Sequence, residues 1–275
     1  MNDNDTAPVP PLGRVLIVAG SDSGGGAGIQ ADIKTVTMFG AYAATAVSAI
    51  TVQNTQGVSD VLPLEPDIIV RQMQVVLDDI GADVVKTGML HSTEVIEAVA
   101  EELDARSGLK LVVDPVMVAT SGDPLLRDDA MIALRNLLVP AATILTPNMP
   151  EAARLTGQSV ETLDDQKRAA DALMGLGPSA VLVKGGHGEG TDVHDVLVTE
   201  DSIEVMSSPR IDTLHTHGTG CTLASAIAAL LSQGAPMRDA VSIARDYVHE
   251  AIATAPGLGK GHGPLNHMHP FQQSE

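Results

Sequence analysis

The stretch Val15–Ile33, VLIVAGSDSGGGAGIQADI, decides the fold. VLIVA (residues 15–19) is apolar throughout, the composition of a strand covered on both faces. GSDSGGGAG (Gly20–Gly28) follows, a turn whose glycines can adopt positive φ and let a ligand approach the backbone. A helical pattern then runs from Ile29 to Phe39. Strand, glycine turn and helix in this order make the first half of a βαβ unit.

The same alternation continues outward from it. Strands are expected at Arg14–Ala19, Ala44–Val52, Asp83–Lys86, Leu111–Asp114, Thr143–Leu145, Ala180–Lys184 and Asp195–Thr199. Helices are expected at Ile29–Phe39, Asp67–Ile80, Thr93–Ala105, Asp128–Leu138, Pro150–Leu155 and Leu163–Met174. A hairpin near Asp195–Met206 and two consecutive helices, about Cys221–Leu231 and Met237–Thr254, complete the pattern. Alternation of this kind predicts an α/β fold: a mainly parallel central sheet flanked by helices on both faces, with right-handed crossovers. Residues 1–12, acidic and proline-rich, read as a disordered tail, and 13–275 as a single domain.

Composition removes several function classes. The net charge of -19 repels nucleic acid, and aromatic residues are only 1% of the chain, too few for base stacking. No apolar run is long enough to span a membrane, and the N-terminus is not a signal peptide. The single cysteine, Cys221, excludes an internal disulfide and points to a reducing cytoplasm.

In open α/β sheets ligands sit at the carboxyl ends of the strands, and the notable loops fall there. TVQN follows the second expected strand and KTGML the third, while VVDPVM, TPNMPEA and VKGGH follow later ones. Three decoys fall away. Asp22-Ser23-Gly24-Gly25 resembles the nucleophile region of trypsin-like proteases, but on an α/β chain without disulfides. Gly26–Ala31 fits a loose dinucleotide fingerprint, but Gln53 and Asn54 stand where that fingerprint wants an acid. Gly259-Lys260 is followed by Gly261, so it is no phosphate-binding P-loop.

The remaining motifs each carry a chemical and a structural reading. HTHGTGCT (His215–Thr222) runs small residues into a helix, exposing backbone N–H groups to an anion, or simply caps that helix. Asn148 and Glu151, three apart around Pro150, suit a water-shelled Mg²⁺ or a helix capping box. Asp114 ends a buried strand, where a carboxylate needs a metal, a lysine or a helix N-terminus. Lys184 ends another, beside glycines suited to a nucleotide. His262, His267 and His269 lack the spacing of a zinc site and read as a loop cluster.

Together these motifs resemble the hydroxymethylpyrimidine/phosphomethylpyrimidine kinase family of thiamine biosynthesis, within the ribokinase-like superfamily. AGSDSGGGAGIQADIKT, TVQNTQGV, KTGML, VVDPVM, SGDPLL, TPNMPEA, VKGGH, THGTGCTLASAIAA and GHGPLNH run in family order from about Arg14 to His269. The resemblance implies two successive ATP-dependent phosphorylations, of 4-amino-5-hydroxymethyl-2-methylpyrimidine and then of its monophosphate. By position it implies a pyrimidine pocket of Gly20, Ala27, Asp32, Gln53 and Met89. It implies Asp114 and Glu151 at Mg²⁺, and Asn148, Lys184 and Gly186 at the nucleotide. It implies an anion hole of Gly218, Thr219, Gly220 and Cys221, with Cys221 where sugar kinases carry a basic aspartate. The helix N-terminus is expected to lower the Cys221 thiol pKa. A cytoplasmic homodimer completes the expectation. A pyridoxal kinase of the same superfamily and a non-catalytic regulator are the alternatives. Thr120 departs from the lysine of many relatives, and His215 from the usual asparagine.

Overall fold

β1 (Arg14–Asp22) lies inside the sheet and pairs in parallel with β2 (Tyr42–Asn54) on one side and β4 (Val84–Thr87) on the other. The computed structural model describes residues 13–127 and 129–272, so the tail expected at 1–12 lies outside the described residues. From β4 the parallel pairing continues through β5 (Lys110–Val113), β6 (Ile144–Leu145) and β7 (Ala180–Val183). Antiparallel strands finish both sides: β3 (Gly57–Pro63) on β2, and β8 (Asp192–Thr199) with β9 (Ile203–Pro209) on β7. The result is one nine-stranded sheet, ordered β3-β2-β1-β4-β5-β6-β7-β8-β9. The expected α/β class holds.

Both faces of the sheet are covered, as the apolar strands require. Leu16 and Val18 of β1 enter one core, packed under α2 (Pro66–Asp79), α3 (Thr93–Asp104), α5 (Met149–Thr156) and α6 (Leu163–Met174). Val15, Ile17 and Ala19 point the other way, into a core shared with α1 (Gly28–Met38), α7 (Thr219–Ser232) and α8 (Met237–Ala253). α7 is the most enclosed of these, with ten consecutive buried residues from Thr222 to Leu231.

Three expectations need correction. TVQN is not a loop: β2 runs on to Asn54 and turns directly into β3, with Gln53 opposite Val58 and Asn54 opposite Gly57. β3 (GVSDVLP) has no fully buried residue, so it lacks the apolar signature of the inner strands. The helix expected at Asp128–Leu138 is α4 (Ala130–Ala133) followed by a π-helical turn over Leu134–Leu138, with residue 128 outside the description. A short α9 (His269–Gln272) was not expected at all.

The topology also locates a crevice. The chain leaves β1 towards β2 in one direction and reaches β4 in the other, which makes the carboxyl ends of β1 and β4 a switch point.

Candidate active site

A cavity of about 740 Å³ opens at that switch point and extends along the carboxyl ends to β7. Thirteen of the fourteen expected site residues line it; Asp32 does not.

The end nearest β1 is partly apolar. Met89 follows β4, and a Cβ at Gly20 would sit 2.5 Å from Met89 Cε, so the glycine makes room for the methionine. Ser48 Oγ fixes the Met89 backbone by donating to its carbonyl at 2.6 Å. Gln53 projects from the end of β2, its Oε1 accepting from Thr51 Oγ1 at 3.0 Å and its backbone tied both ways to Ser23 Oγ. Its Nε2 lies 3.5 Å from His217 Nε2 and still has an N–H for a ring nitrogen or carbonyl of a ligand.

Asp32 belongs beneath this pocket rather than in it. It is fully buried in α1, accepting from Lys86 Nζ at 2.9 and 3.0 Å and from Ser225 Oγ at 2.6 Å. Burial raises its carboxyl despite those partners, while Asp32 keeps the equally buried Lys86 protonated against its own burial. A carboxylate facing inward from a helix needs such a cation, and β4 supplies it. Asp32 therefore ties α1, β4 and α7 together, and Lys86 is the member of the group that reaches the cavity.

The middle of the cavity collects charge. Asp114, at the end of β5, accepts from Lys184 Nζ at 3.1 Å and from Thr146 Oγ1 at 3.5 Å through Oδ1. Its Oδ2 is buried without a partner. Asn148 and Glu151 form a full capping box at the start of α5: Asn148 Oδ1 accepts from the Glu151 N–H, and Glu151 Oε2 from the Asn148 N–H. Both also line the cavity, so the capping role does not remove them from it. Burial and the neighbouring Asp114 push the Glu151 carboxyl up to about 7, against the pull of Lys184. Burial would lower Lys184, but Asp114 and Glu151 raise it above the ordinary lysine range.

α7 points its N-terminus into this charged region. Gly218 is left-handed (φ 83°) and no side chain caps the helix; the Thr219 N–H donates back to the Thr216 carbonyl at 3.2 Å, and the other first-turn amides have no intrahelical acceptor. A Cβ at Gly220 would meet Lys184 Nζ at 3.2 Å, which shows how closely backbone and ammonium approach. Backbone amides beside a lysine suit a phosphoryl group. Cys221 corrects an expectation. Burial pushes its thiol up to about 12, and neither Lys86 nor the Gly28 amide offsets that, so the sulfur stays protonated.

Beyond Lys184 the cavity continues past β7 to β8 and α8. Arg210 holds the loop after β7 by donating to three alternate carbonyls, Gly186 at 2.9 Å, Gly188 at 2.7 Å and Gly190 at 2.9 Å. Asp195 accepts from the Gly185 N–H and from Arg245. Val193, Ile211, Val248 and Ile252 give this end an apolar wall.

Sequence reasoning did not find Lys86, Arg210, Arg245, Asp22 or His217 as parts of the site. Asp22 stood inside the protease-like decoy, and its bond to His217 spans 195 residues. Of the two departures, Thr120 lines the cavity beside His217, whereas His215 packs against Gly263 away from the wall. The histidines at the C-terminal end make separate contacts: His262 with Leu214, His267 with Thr222 and His269 with Tyr247.

A family model described as phosphomethylpyrimidine kinase matches residues 22–266. The chain is 48% identical to a hydroxymethylpyrimidine/phosphomethylpyrimidine kinase of Rhizobium meliloti, covering 92% of this chain and 96% of that one. It is 44% identical to the Bacillus subtilis protein of the same name, covering 93% and 94%. A bifunctional thiamine biosynthesis protein of Geobacter sulfurreducens is 49% identical, and the chain spans 54% of its length. Among solved structures, a Bacillus subtilis pyridoxal kinase in complex with ADP superposes with a TM-score of 0.88 at 36% identity, covering 95% of this chain and 99% of that one. A Clostridium difficile phosphomethylpyrimidine kinase gives 0.78 at 42% identity, covering 87% and 99%. Matched over most of its length by the family model and by such relatives, the chain belongs to the hydroxymethylpyrimidine/phosphomethylpyrimidine kinase family, and its fold is ribokinase-like.

Proposed function

We propose that the protein transfers the terminal phosphoryl group of ATP to the hydroxymethyl of 4-amino-5-hydroxymethyl-2-methylpyrimidine, and then to the resulting monophosphate, supplying thiamine biosynthesis. One observation carries the reading: a small pocket bearing Met89 and Gln53 and a charged region bearing Asp114 and Lys184 meet at the open N-terminus of α7 within one cavity. Gly20 and Ala27 shape the pocket, Met89 packs on the ring face, and Gln53 reads the ring's polar edge.

ATP lies along the end beyond β7, with Gly186 in the loop gathered by Arg210, and Lys184 with Asn148 at its phosphates. The orphaned Asp114 Oδ2 and the buried Glu151 carboxyl fit a hydrated Mg²⁺, whose charge would offset both and shield the phosphates. Charge developing on the transferred group falls to Lys184 and to the amides of Gly218, Gly220 and Cys221, while the Thr219 N–H, held by the Thr216 carbonyl, shapes the turn. The Cys221 thiol, protonated at rest, is a neighbour of the attacking oxygen rather than a standing thiolate base.

A second reading has support in the fold: pyridoxal kinases superpose over most of the chain, including a Staphylococcus aureus enzyme with pyridoxal bound at a TM-score of 0.87. Mass spectrometry of products from ATP, Mg²⁺ and either the pyrimidine or pyridoxal separates the two. We expect mono- and diphosphate from the pyrimidine, and exclusive turnover of pyridoxal would reverse the assignment.

The expected homodimer draws support from the outer face of the β2–β3 hairpin, where the cross-strand pair Ile50 and Leu62 is exposed along with Val52. Light scattering of the intact protein measures its mass directly. No described helix is long and apolar enough to cross a membrane, in keeping with the cytoplasmic reading.

A further inference from the structure

Four separate segments of chain meet at His217, among them the end of β2, whose Gln53 Nε2 lies 3.5 Å from His217 Nε2. Its Nε2 lies 2.9 Å from Asp22 Oδ2 at the end of β1, and its Nδ1 lies 3.4 Å from Thr120 Oγ1 in the segment after β5. Its own N–H donates to the Gly263 carbonyl at 3.2 Å. Both side chains of the close pair are buried on the cavity wall.

Asp22 is a carboxylate with every reason to stay ionised. Besides His217 it accepts from the amides of Gly24 at 2.7 Å, Gly26 at 3.0 Å and Ala27 at 2.8 Å. Burial alone would raise it, but His217 and those amides bring it below the usual carboxylate range. An ionised carboxylate only accepts, so the bond places a proton on His217 Nε2. The form is that of the Asp–His half of a nucleophilic triad, yet no hydrogen bond among the described residues joins this imidazole to Cys221.

The backbone around the pair leaves no slack. A Cβ at Gly26 would lie 2.5 Å from His217 Cδ2, and a Cβ at Gly218 would lie 1.8 Å from the Gly26 carbonyl oxygen. The glycine turn lining the acceptor pocket and the turn opening α7 therefore touch at one point. The Asp22–His217 bond is the side-chain tie across that contact.

We propose that Asp22 and His217 are a positioning pair, which holds the anion-binding turn Gly218–Cys221 in register with the acceptor pocket during phosphoryl transfer. The proposal rests on the kinase reading above. The interactions it maintains matter most in the transition state, because a shift of about 1 Å between attacking oxygen and phosphoryl group can cost about 100-fold in rate while binding persists.

The test compares wild type, His217→Ala and His217→Gln. The glutamine amide can place an N–H where Nε2 was and donate to Asp22, so it distinguishes the bond from mere bulk. For His217→Ala the expected result is a kcat lower by about 10- to 100-fold on both the pyrimidine and its monophosphate, with KM for the pyrimidine changing less than about threefold. His217→Gln recovers most of that loss, and thermal melts confirm that all three proteins are folded. A kcat within about twofold of wild type for His217→Ala, or no recovery in His217→Gln, overturns the pair. Should wild type phosphorylate no pyrimidine at all, the kinase reading fails separately. The pair is then judged by calorimetric affinity for ADP with aluminium fluoride, a mimic of the phosphoryl group in transfer, which the alanine variant must weaken and the glutamine variant restore. Equal affinity in all three proteins would overturn it.

Discussion

Lys184 Nζ donates to one oxygen of Asp114 at 3.1 Å, while the other oxygen of the same buried carboxylate has no partner. The lysine thus serves two charges, the carboxylate beside it and any phosphoryl group brought to the start of α7. Two substitutions separate these duties.

Lys184→Met removes the ammonium and leaves Asp114 buried beside Glu151 with no cation hydrogen-bonded to it. Breaking a buried pair in this way costs about 3–5 kcal/mol, so urea unfolding should show a large loss together with abolished turnover. Asp114→Asn keeps the shape and removes the charge. It should fold normally and lose about 100- to 1000-fold in kcat, the scale of a lost transition-state contact. A normal kcat in Asp114→Asn would place the reaction elsewhere.

Gln53→Ala and Asp32→Ala should part company. Gln53→Ala weakens pyrimidine binding by about 1–3 kcal/mol, leaving an unpaired group on the ligand, with ATP affinity unchanged. Asp32→Ala strands the buried Lys86 ammonium and costs about 3–5 kcal/mol of stability instead. Adding Lys86→Met to it should return stability, because the charge goes with its partner. Calorimetry with the pyrimidine and urea midpoints for each variant check both halves.

Cys221 should behave as a protonated thiol. With its pKa pushed up to about 12, alkylation by iodoacetamide stays slow from pH 7 to pH 9 and shows no inflection near the ordinary cysteine value. Cys221→Ala keeps the backbone amides of the turn. Its single-turnover rate should fall by well under the ~100-fold low end of general-base effects, and alike on the alcohol and the monophosphate, because a protonated thiol cannot take the proton that the alcohol alone must lose. A larger fall confined to the alcohol would make the sulfur a base.

His267 supplies an acid limb to the stability curve. Burial lowers it to about 4, with Lys34 and His269 acting in the same direction, and Thr222 Oγ1 lies 3.0 Å from its Nε2. The unfolded chain takes up this proton near pH 6.5 and the folded chain only near 4, so stability falls as pH drops through that window. The full effect is at most about 3 kcal/mol, from about 1.4 kcal/mol per pKa unit. Urea midpoints at pH 7 and pH 4.5 should converge more in His267→Gln than in wild type. Identical pH slopes in the two proteins would assign the acid limb to other groups.

Much of this was legible in the sequence because local chemistry and fold agreed. VLIVA and KLVV are apolar on both faces, and they became inner strands with helices above and below. Asn148-Met-Pro-Glu151 is a capping box in any protein, and here its two polar residues also reach the cavity. What escaped was set by partners distant in sequence. Nothing near Asp32 says that Lys86, 54 residues on, will claim it, or that Asp22 will meet His217. The Cys221 expectation weighed the helix N-terminus, a local feature, but could not weigh desolvation by segments folded around it. The edge strand β3 was missed for a related reason: none of its residues is fully buried, so it gives no core signal until its neighbour is known.

The distribution of charge around the cleft has a consequence for how anions arrive. Five of the sixteen lysines and arginines (Lys86, Arg154, Lys184, Arg210 and Arg245) line the cavity, against four of the thirty-five acidic residues. A molecule carrying -19 overall thus keeps a slight local excess of positive charge where ATP must dock. Which of the two fields an approaching nucleotide feels is a question of range. In dilute buffer, with a Debye length of about 30 Å, the outer acidic surface reaches far into solution and turns anions away. At about 0.15 M salt that reach shrinks to about 8 Å, and the cleft is met before the surface is felt. Moderate ionic strength therefore speeds nucleotide capture by this protein, the reverse of the usual behaviour of a site that steers its ligand by charge.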